Sequence, residues 1–194
     1  QNNIPLLAIA PGSRPSEMQR HLPTLLEALP RIREKTGEIQ CMLPVAESLD
    51  LKEIKNITEV SPVPVTLVQE QFIEAIRACD AAIVASGTAS LQTALALTPF
   101  VIVYRVSPLT FWIARHLADT KYIGLVNVLA EREIVPEILQ NDFTVSNITK
   151  AAVRLLQDED YRATMICQLK TTRSKLGEPG AYDKAALCIE NTLR

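Results

Sequence analysis

Two turns in this sequence set a glycine and a hydroxyl side chain between an apolar run and a helical pattern: Pro11-Gly12-Ser13-Arg14 and Ala85-Ser86-Gly87-Thr88-Ala89. A glycine lets the backbone approach a ligand closely, and the start of the next helix offers amide donors with no partner inside the helix. Arg14 adds a planar fork of donors matched to phosphate, and Glu17, one turn on, is placed to hold it. At the second turn, Ser86, the amides of Gly87 and Thr88 and the helix dipole are candidates to cradle a phosphate. Gln92, one turn into that helix, is in reach of ribose hydroxyls. Each turn also has a plainer reading: a strand-to-helix connection with a surface arginine in the first, a helix cap at Thr88 in the second. Neither spacing is that of a P-loop or of G-x-G-x-x-G. Two such turns on neighbouring strand ends point to a diphosphate held between them.

The segment from Gly124 to Glu133, with Asn127, Glu131, Arg132 and Glu133, is too polar for core and precedes a helical pattern. It is expected to fold over the same cleft, a solvated charged loop being the alternative. Tyr104 and Arg105 are further substrate-binding candidates, and with the stretch Leu109 to His116 they concentrate three aromatics and two arginines. That apolar surface serves either as core or, with Lys121, as a lipid or interfacial face. The two histidines, His21 and His116, fall on predicted helices; His21 reads as a solvated helix residue. No Ser-His-Asp arrangement and no carboxylate pair spaced for glycoside hydrolysis emerges. The four cysteines form no C-x-x-C pair, so zinc is not expected, and no other metal or cofactor is. Cys41 and Cys79 lie in or beside apolar runs and read as small buried hydrophobes in a reducing compartment.

Strands and helices alternate along the elements that must carry these turns. Leu6–Ala10, Ile39–Val45, Pro64–Val68, Ala81–Ala85 and Phe100–Tyr104 read as strands, with a short sixth at Tyr122–Gly124. Helices are predicted over 16–35, 49–57, 72–79, 88–97 and 108–117. Pro15 suits the first helical turn, whereas Pro23 and Pro30 lie deeper and should kink or segment the helix. From Ile134 on, only helices are expected: 146–156 with Asp142 or Thr144 as cap, 158–176, and 181–193 after a break at 177–180. This alternation means right-handed crossovers and a doubly wound parallel α/β sheet, Rossmann-like, with C-terminal helices.

The 194 residues suffice for one domain with a full core. A mean hydropathy of +0.11 with only 5% aromatics implies an aliphatic core, as buried parallel strands require. A net charge of −2 argues against a general nucleic-acid surface. No run approaches the ~20 apolar residues of a membrane span. The chain opens within a few residues of a strand and without Met, and is expected to be one domain of a larger protein.

PGSRPSE (11–17), RHLPTLLEA (20–28), the block from Val84 to Leu117, YIGLVNVLAEREIVPEILQ (122–140) and LGEPGA (176–181) resemble lipid-A-disaccharide synthase, a family of GT-B glycosyltransferases. The resemblance implies an inverting transfer from UDP-2,3-diacylglucosamine that forms lipid A disaccharide 1-phosphate. It covers the family's C-terminal, nucleotide-sugar-binding domain over residues 1–194. The N-terminal domain, with the catalytic base and much of the lipid-linked acceptor site, is not matched, so the fragment should bind donor without turnover. By the same resemblance Gly12, Ser13 and Arg14 meet the diphosphate, Arg14 stabilising charge on the UDP leaving group. Ser86, Gly87 and Thr88 line the other side, while Asn127, Arg132 and Glu133 close the pocket near phosphate and sugar. A bacterial cytoplasmic location, a peripheral inner-membrane surface and a homodimer are also in keeping with it. Two positions depart from the family pattern: Gln92 replaces an acid that grips ribose, and Glu131 replaces a glycine and would set a carboxylate near the diphosphate. These departures leave two alternatives, an epimerase-like UDP-sugar enzyme and a non-catalytic interaction domain.

Overall fold

Five of the apolar runs pair side by side as parallel strands in the computed structural model. It describes residues 4–106 and 121–176, with residues 180, 185, 186, 188–190 and 192. They are β1 (Leu6–Ala10), β2 (Gln40–Val45), β3 (Val65–Gln69), β4 (Ala81–Ala85) and β5 (Phe100–Tyr104). A sixth, β6 (Glu137–Leu139), completes the order β3-β2-β1-β4-β5-β6, every neighbour parallel. The order reverses between β1 and β4, and the carboxyl ends of those two strands carry the two glycine turns. Every residue of β4 is buried, as a strand covered on both faces must be. At the amino ends of the same two strands Asp80 clasps β1: its carboxylate accepts from the Leu6 amide at 2.8 Å and its own amide donates to the Leu6 carbonyl at 2.9 Å.

The helices are α1 (Pro15–Thr36), α2 (Leu51–Glu59), α3 (Phe72–Arg77), α4 (Thr88–Ala96), α5 (Leu125–Ala130), α6 (Val145–Gln157) and α7 (Glu159–Ser174). α1 packs along α6, while α4 packs against α3, α5 and α7. Asp50, Thr144 and Asp158 cap α2, α6 and α7 through their side chains. Cys41 and Cys79 are buried as expected; burial pushes the Cys79 thiol up to about 12 and the Cys41 thiol higher still.

Three expectations are corrected. α1 is one 22-residue helix through Pro23 and Pro30. Each internal proline costs about 3 kcal/mol, but each buried large aliphatic side chain returns about 1.5–3 kcal/mol. Met18, Leu22, Leu25, Leu26, Leu29 and Ile32 form one continuous buried stripe, so packing wins. Pro23 also sits on the exposed side beside exposed Gln19, whose carbonyl it leaves to water. Secondly, Tyr122–Gly124 is not a strand. The Ile123 and Gly124 amides donate to the Glu137 carboxylate, both at 2.9 Å, instead of joining a ladder. Thirdly, the sixth strand lies at Glu137–Leu139, within the stretch expected to be helical, and adds to the free edge of β5. The expected helix 108–117 and its aromatic cluster lie outside the described residues, as does most of 177–184; residues described between 185 and 192 are helical.

Candidate functional site

The cleft at the switch point has a volume of about 570 Å³. Gly12, Ser13 and Arg14 from the β1 exit, Ser86, Gly87 and Thr88 from the β4 exit, Gln92 on α4 and Tyr104 at the end of β5 all line it. Eight of the sequence-predicted residues thus meet in one place.

The two turns offer different chemistry. Gly12 has φ +130°, a conformation reserved for glycine, and a Cβ there would collide with Glu17 Oε2 and stand 2.6 Å from Glu17 Cβ. Glu17 fills that space and its carboxylate accepts from the Ser13 amide at 3.2 Å. The Ser13 amide is therefore occupied, and Pro15, the first residue of α1, has none to give. The Arg14–Glu17 pairing is loose, 3.9 Å, with the Arg14 side chain 76% exposed and free to reach into the cleft. Ser48 donates to the Ser13 carbonyl at 2.8 Å and steadies the turn from the β2 side.

The second turn is open. Gly87, φ +149°, is the N-cap of α4, with empty space where a Cβ would stand. Thr88 is the first helical residue and does not cap; no side chain caps this helix. The hydroxyl of Ser90 donates to the Gly87 carbonyl at 2.7 Å, and that of Ser86 to the Ile123 carbonyl at 3.3 Å. The Thr88 and Ala89 amides thus open onto the cleft at the positive end of α4. Two uncapped amides and, across from them, one exposed guanidinium are donors whose chemistry suits an anion at short range.

Carboxylates complicate the field. Glu47 after β2 and Glu70 after β3 line the cleft with Glu17, so three acids face one arginine. Such a lining attracts an anion only weakly at long range and leaves directional donors as the means of holding one. Sequence reasoning overlooked Glu47, Glu70 and Phe72. The available signal was their place, within three residues of the carboxyl ends of strands on the same edge as Gly12. Among the described residues no cluster of acids, histidines and cysteines could hold a metal ion.

Arg105, Asn127, Arg132 and Glu133 are not among the cleft-lining residues. The Arg105 guanidinium lies over the Phe143 ring, 5.5 Å from its centre. Asn127 is wholly buried and fully bonded: its Oδ1 accepts from the Ile134 and Val135 amides at 2.9 and 3.0 Å. Its Nδ2 donates to the Val135 carbonyl at 2.7 Å and to Glu137 Oε1 at 2.8 Å. The segment read as a polar cover is thus a helix, α5, and a tight return locked from inside by Asn127. Glu131 ends that helix at φ +57°, exposed and away from the cleft-lining set. Its departure from glycine is a backbone cost rather than a charge beside a ligand. Glu131→Gly is expected to stabilise the fold by about 0.5–1 kcal/mol, read as a raised urea midpoint; an unchanged or lowered midpoint would refute that account.

His21, expected to be solvated, is wholly buried on α1, with Nδ1 2.6 Å from the Pro11 carbonyl and the Arg105 amide 3.0 Å from Nε2. Position 21 falls on the same stripe as Met18 and Leu25, and backbone partners make burial of the imidazole affordable.

A family model described as lipid-A-disaccharide synthetase matches residues 1–191. The lipid-A-disaccharide synthase of Myxococcus xanthus (strain DK1622) is 40% identical over 184 residues, 95% of this chain and 48% of the relative. That of Anaeromyxobacter dehalogenans (strain 2CP-C) is 42% identical over 189 residues, 97% of this chain and 49% of the relative. The chain spans about half the length of the curated relatives it matches. Among solved structures, WaaG, a glycosyltransferase involved in lipopolysaccharide biosynthesis, shares the fold. Its TM-score is 0.60 at 14% identity, over 88% of this chain and 43% of its own.

Proposed function

The chain belongs to the lipid-A-disaccharide synthetase family, and from that premise we propose that it is the donor-binding half of an inverting glycosyltransferase of lipid A synthesis. The donor in this reading is UDP-2,3-diacylglucosamine. The observation that supports it is the pair of strand exits at the switch point, with Arg14 on one and the uncapped α4 amides on the other. As the bond from the sugar's anomeric carbon to the β-phosphate oxygen breaks, negative charge grows on that oxygen of the departing UDP. Arg14 and the Thr88 and Ala89 amides stabilise that charge from opposite sides. Gln92 takes ribose hydroxyls through neutral hydrogen bonds. The general base and the lipid-linked acceptor site belong to the other half of the protein, so this half binds donor without turnover. The same reading puts the whole protein in the bacterial cytoplasm, peripheral to the inner membrane; among the described residues no helix is long and apolar enough to cross one.

Calorimetric titration with UDP and UDP-N-acetylglucosamine tests the proposal. Binding is expected, and absence of heat at millimolar UDP would overturn it. Arg14→Ala should then weaken UDP by about 1.5–3 kcal/mol, the worth of a hydrogen bond to a charged group. Gln92→Glu should tighten it by about 1 kcal/mol through a charge-assisted ribose contact. A weaker Gln92→Glu complex would place the ribose elsewhere.

A further inference from the structure

His21 lies outside the cleft yet joins two of its walls, and no catalytic or binding role assigned above uses it. The Pro11 carbonyl can only accept, so Nδ1 carries the proton and donates at 2.6 Å. The Arg105 amide can only donate, so Nε2 accepts from it at 3.0 Å. The Arg105 carbonyl stands 3.2 Å from the same nitrogen. Pro11 is the residue before Gly12, and Arg105 the residue after Tyr104. The imidazole therefore binds the exit of β1 to the exit of β5, two strands that the sheet separates by β4. Tyr104 and Phe143 pack on the ring at centroid distances of 5.6 and 5.4 Å, and Arg105 covers Phe143. A wholly buried ring with both nitrogens engaged and two aromatic neighbours has one orientation open to it.

We infer that His21 is a positioning residue for the anion site: its imidazole fixes the Gly12-Ser13-Arg14 turn relative to Tyr104 and the β5 exit. This rests on the donor-binding reading above. The β1 turn has few anchors of its own, namely Glu17 on the Ser13 amide and Ser48 on the Ser13 carbonyl. Without His21 the Pro11 carbonyl and the Arg105 amide lose their partners, and the turn carrying Arg14 loses its register with the α4 amides across the cleft.

The test is a double-mutant cycle in this chain. His21→Leu keeps the bulk and removes both bonds; His21→Asn keeps a donor toward Pro11 and gives up the reach to Arg105. Either variant that retains a cooperative thermal transition is titrated with UDP, alone and combined with Arg14→Ala. Alone, the loss of affinity is expected to be about ten-fold. In the Arg14→Ala background it should shrink to less than about two-fold, because the two residues act through one turn. A purely structural role would give losses that simply multiply, and that result, or unchanged affinity, overturns the inference. Amide exchange tests the tie without ligand: the Arg105 and Ser13 amides should lose protection together in the His21→Asn chain. Wild type that binds no UDP while these amides still lose protection together would sink the donor reading and leave the tie standing. Protection unchanged in the variant would sink the tie.

Discussion

Gly12→Ala is expected to destabilise the fold by about 2–4 kcal/mol and to abolish measurable UDP binding. Two effects add. At φ +130° an L side chain is strained whatever its surroundings, at about 1–3 kcal/mol. The new methyl also meets Glu17, on both its Cβ and its carboxylate. Movement of Glu17 releases the Ser13 amide, and with it the turn that presents Arg14. Urea unfolding gives the stability change and calorimetry the binding loss. The paired variant Gly12→Ala/Glu17→Gly, measured against Glu17→Gly alone, separates the two terms: with both the Cβ and the carboxylate of Glu17 gone the collision is relieved, and only the backbone strain should remain. A Gly12→Ala chain with an unchanged midpoint would mean that the β1 exit is not shaped as described.

Asn127→Ala is expected to cost about 3–5 kcal/mol, roughly a third to a half of the stability of a typical domain. It strands two buried amides, Ile134 and Val135, and one carbonyl, Val135, and takes a donor from Glu137. At no exposure, Asn127 has no solvent beside it that shares its bonds in the folded protein. The binding result is as informative as the stability. Among molecules still folded at low temperature, UDP affinity should stay within about three-fold of wild type, since distant sites act nearly independently. A large affinity loss with intact stability would return Asn127 to the sugar pocket that the family resemblance assigns to it.

The contrast between Gly12 and Asn127 shows how far residue type carries. Gly12 was legible because an apolar run, a glycine and a helical pattern in series describe a strand exit on their own. Leu6–Ala10, Ala81–Ala85 and Phe100–Tyr104 were legible for the same reason: buried on both faces, they are apolar throughout. Asn127 and His21 were misread because their polarity pointed to solvent, and only the backbone partners brought by distant segments reverse that. Glu137–Leu139 is three residues long, too short for any period to register, and becomes a strand because β5 has a free edge. Pro23 and Pro30 mislead in the opposite sense, a local rule overruled by a stripe of six large side chains. Thr88 has the chemistry of a cap, yet Gly87 takes that place and leaves the amides open.

The place of β1 in the sheet has a consequence in time. It is first of the six strands in the chain but lies inside the sheet, with β2 on one side and β4 on the other. Its clasp to Asp80 spans 74 residues. A growing chain can therefore pair β1 with β2 early, yet the opposite edge of β1 stays open until β4 has been made. Non-local parallel pairing of this kind is slow to close. During that interval an edge carrying Leu7 and Ile9 is open to whatever strand arrives first. The same central position that gathers the two cleft turns makes this the longest-range seam in the sheet, one that stays open until Asp80 and β4 have been made.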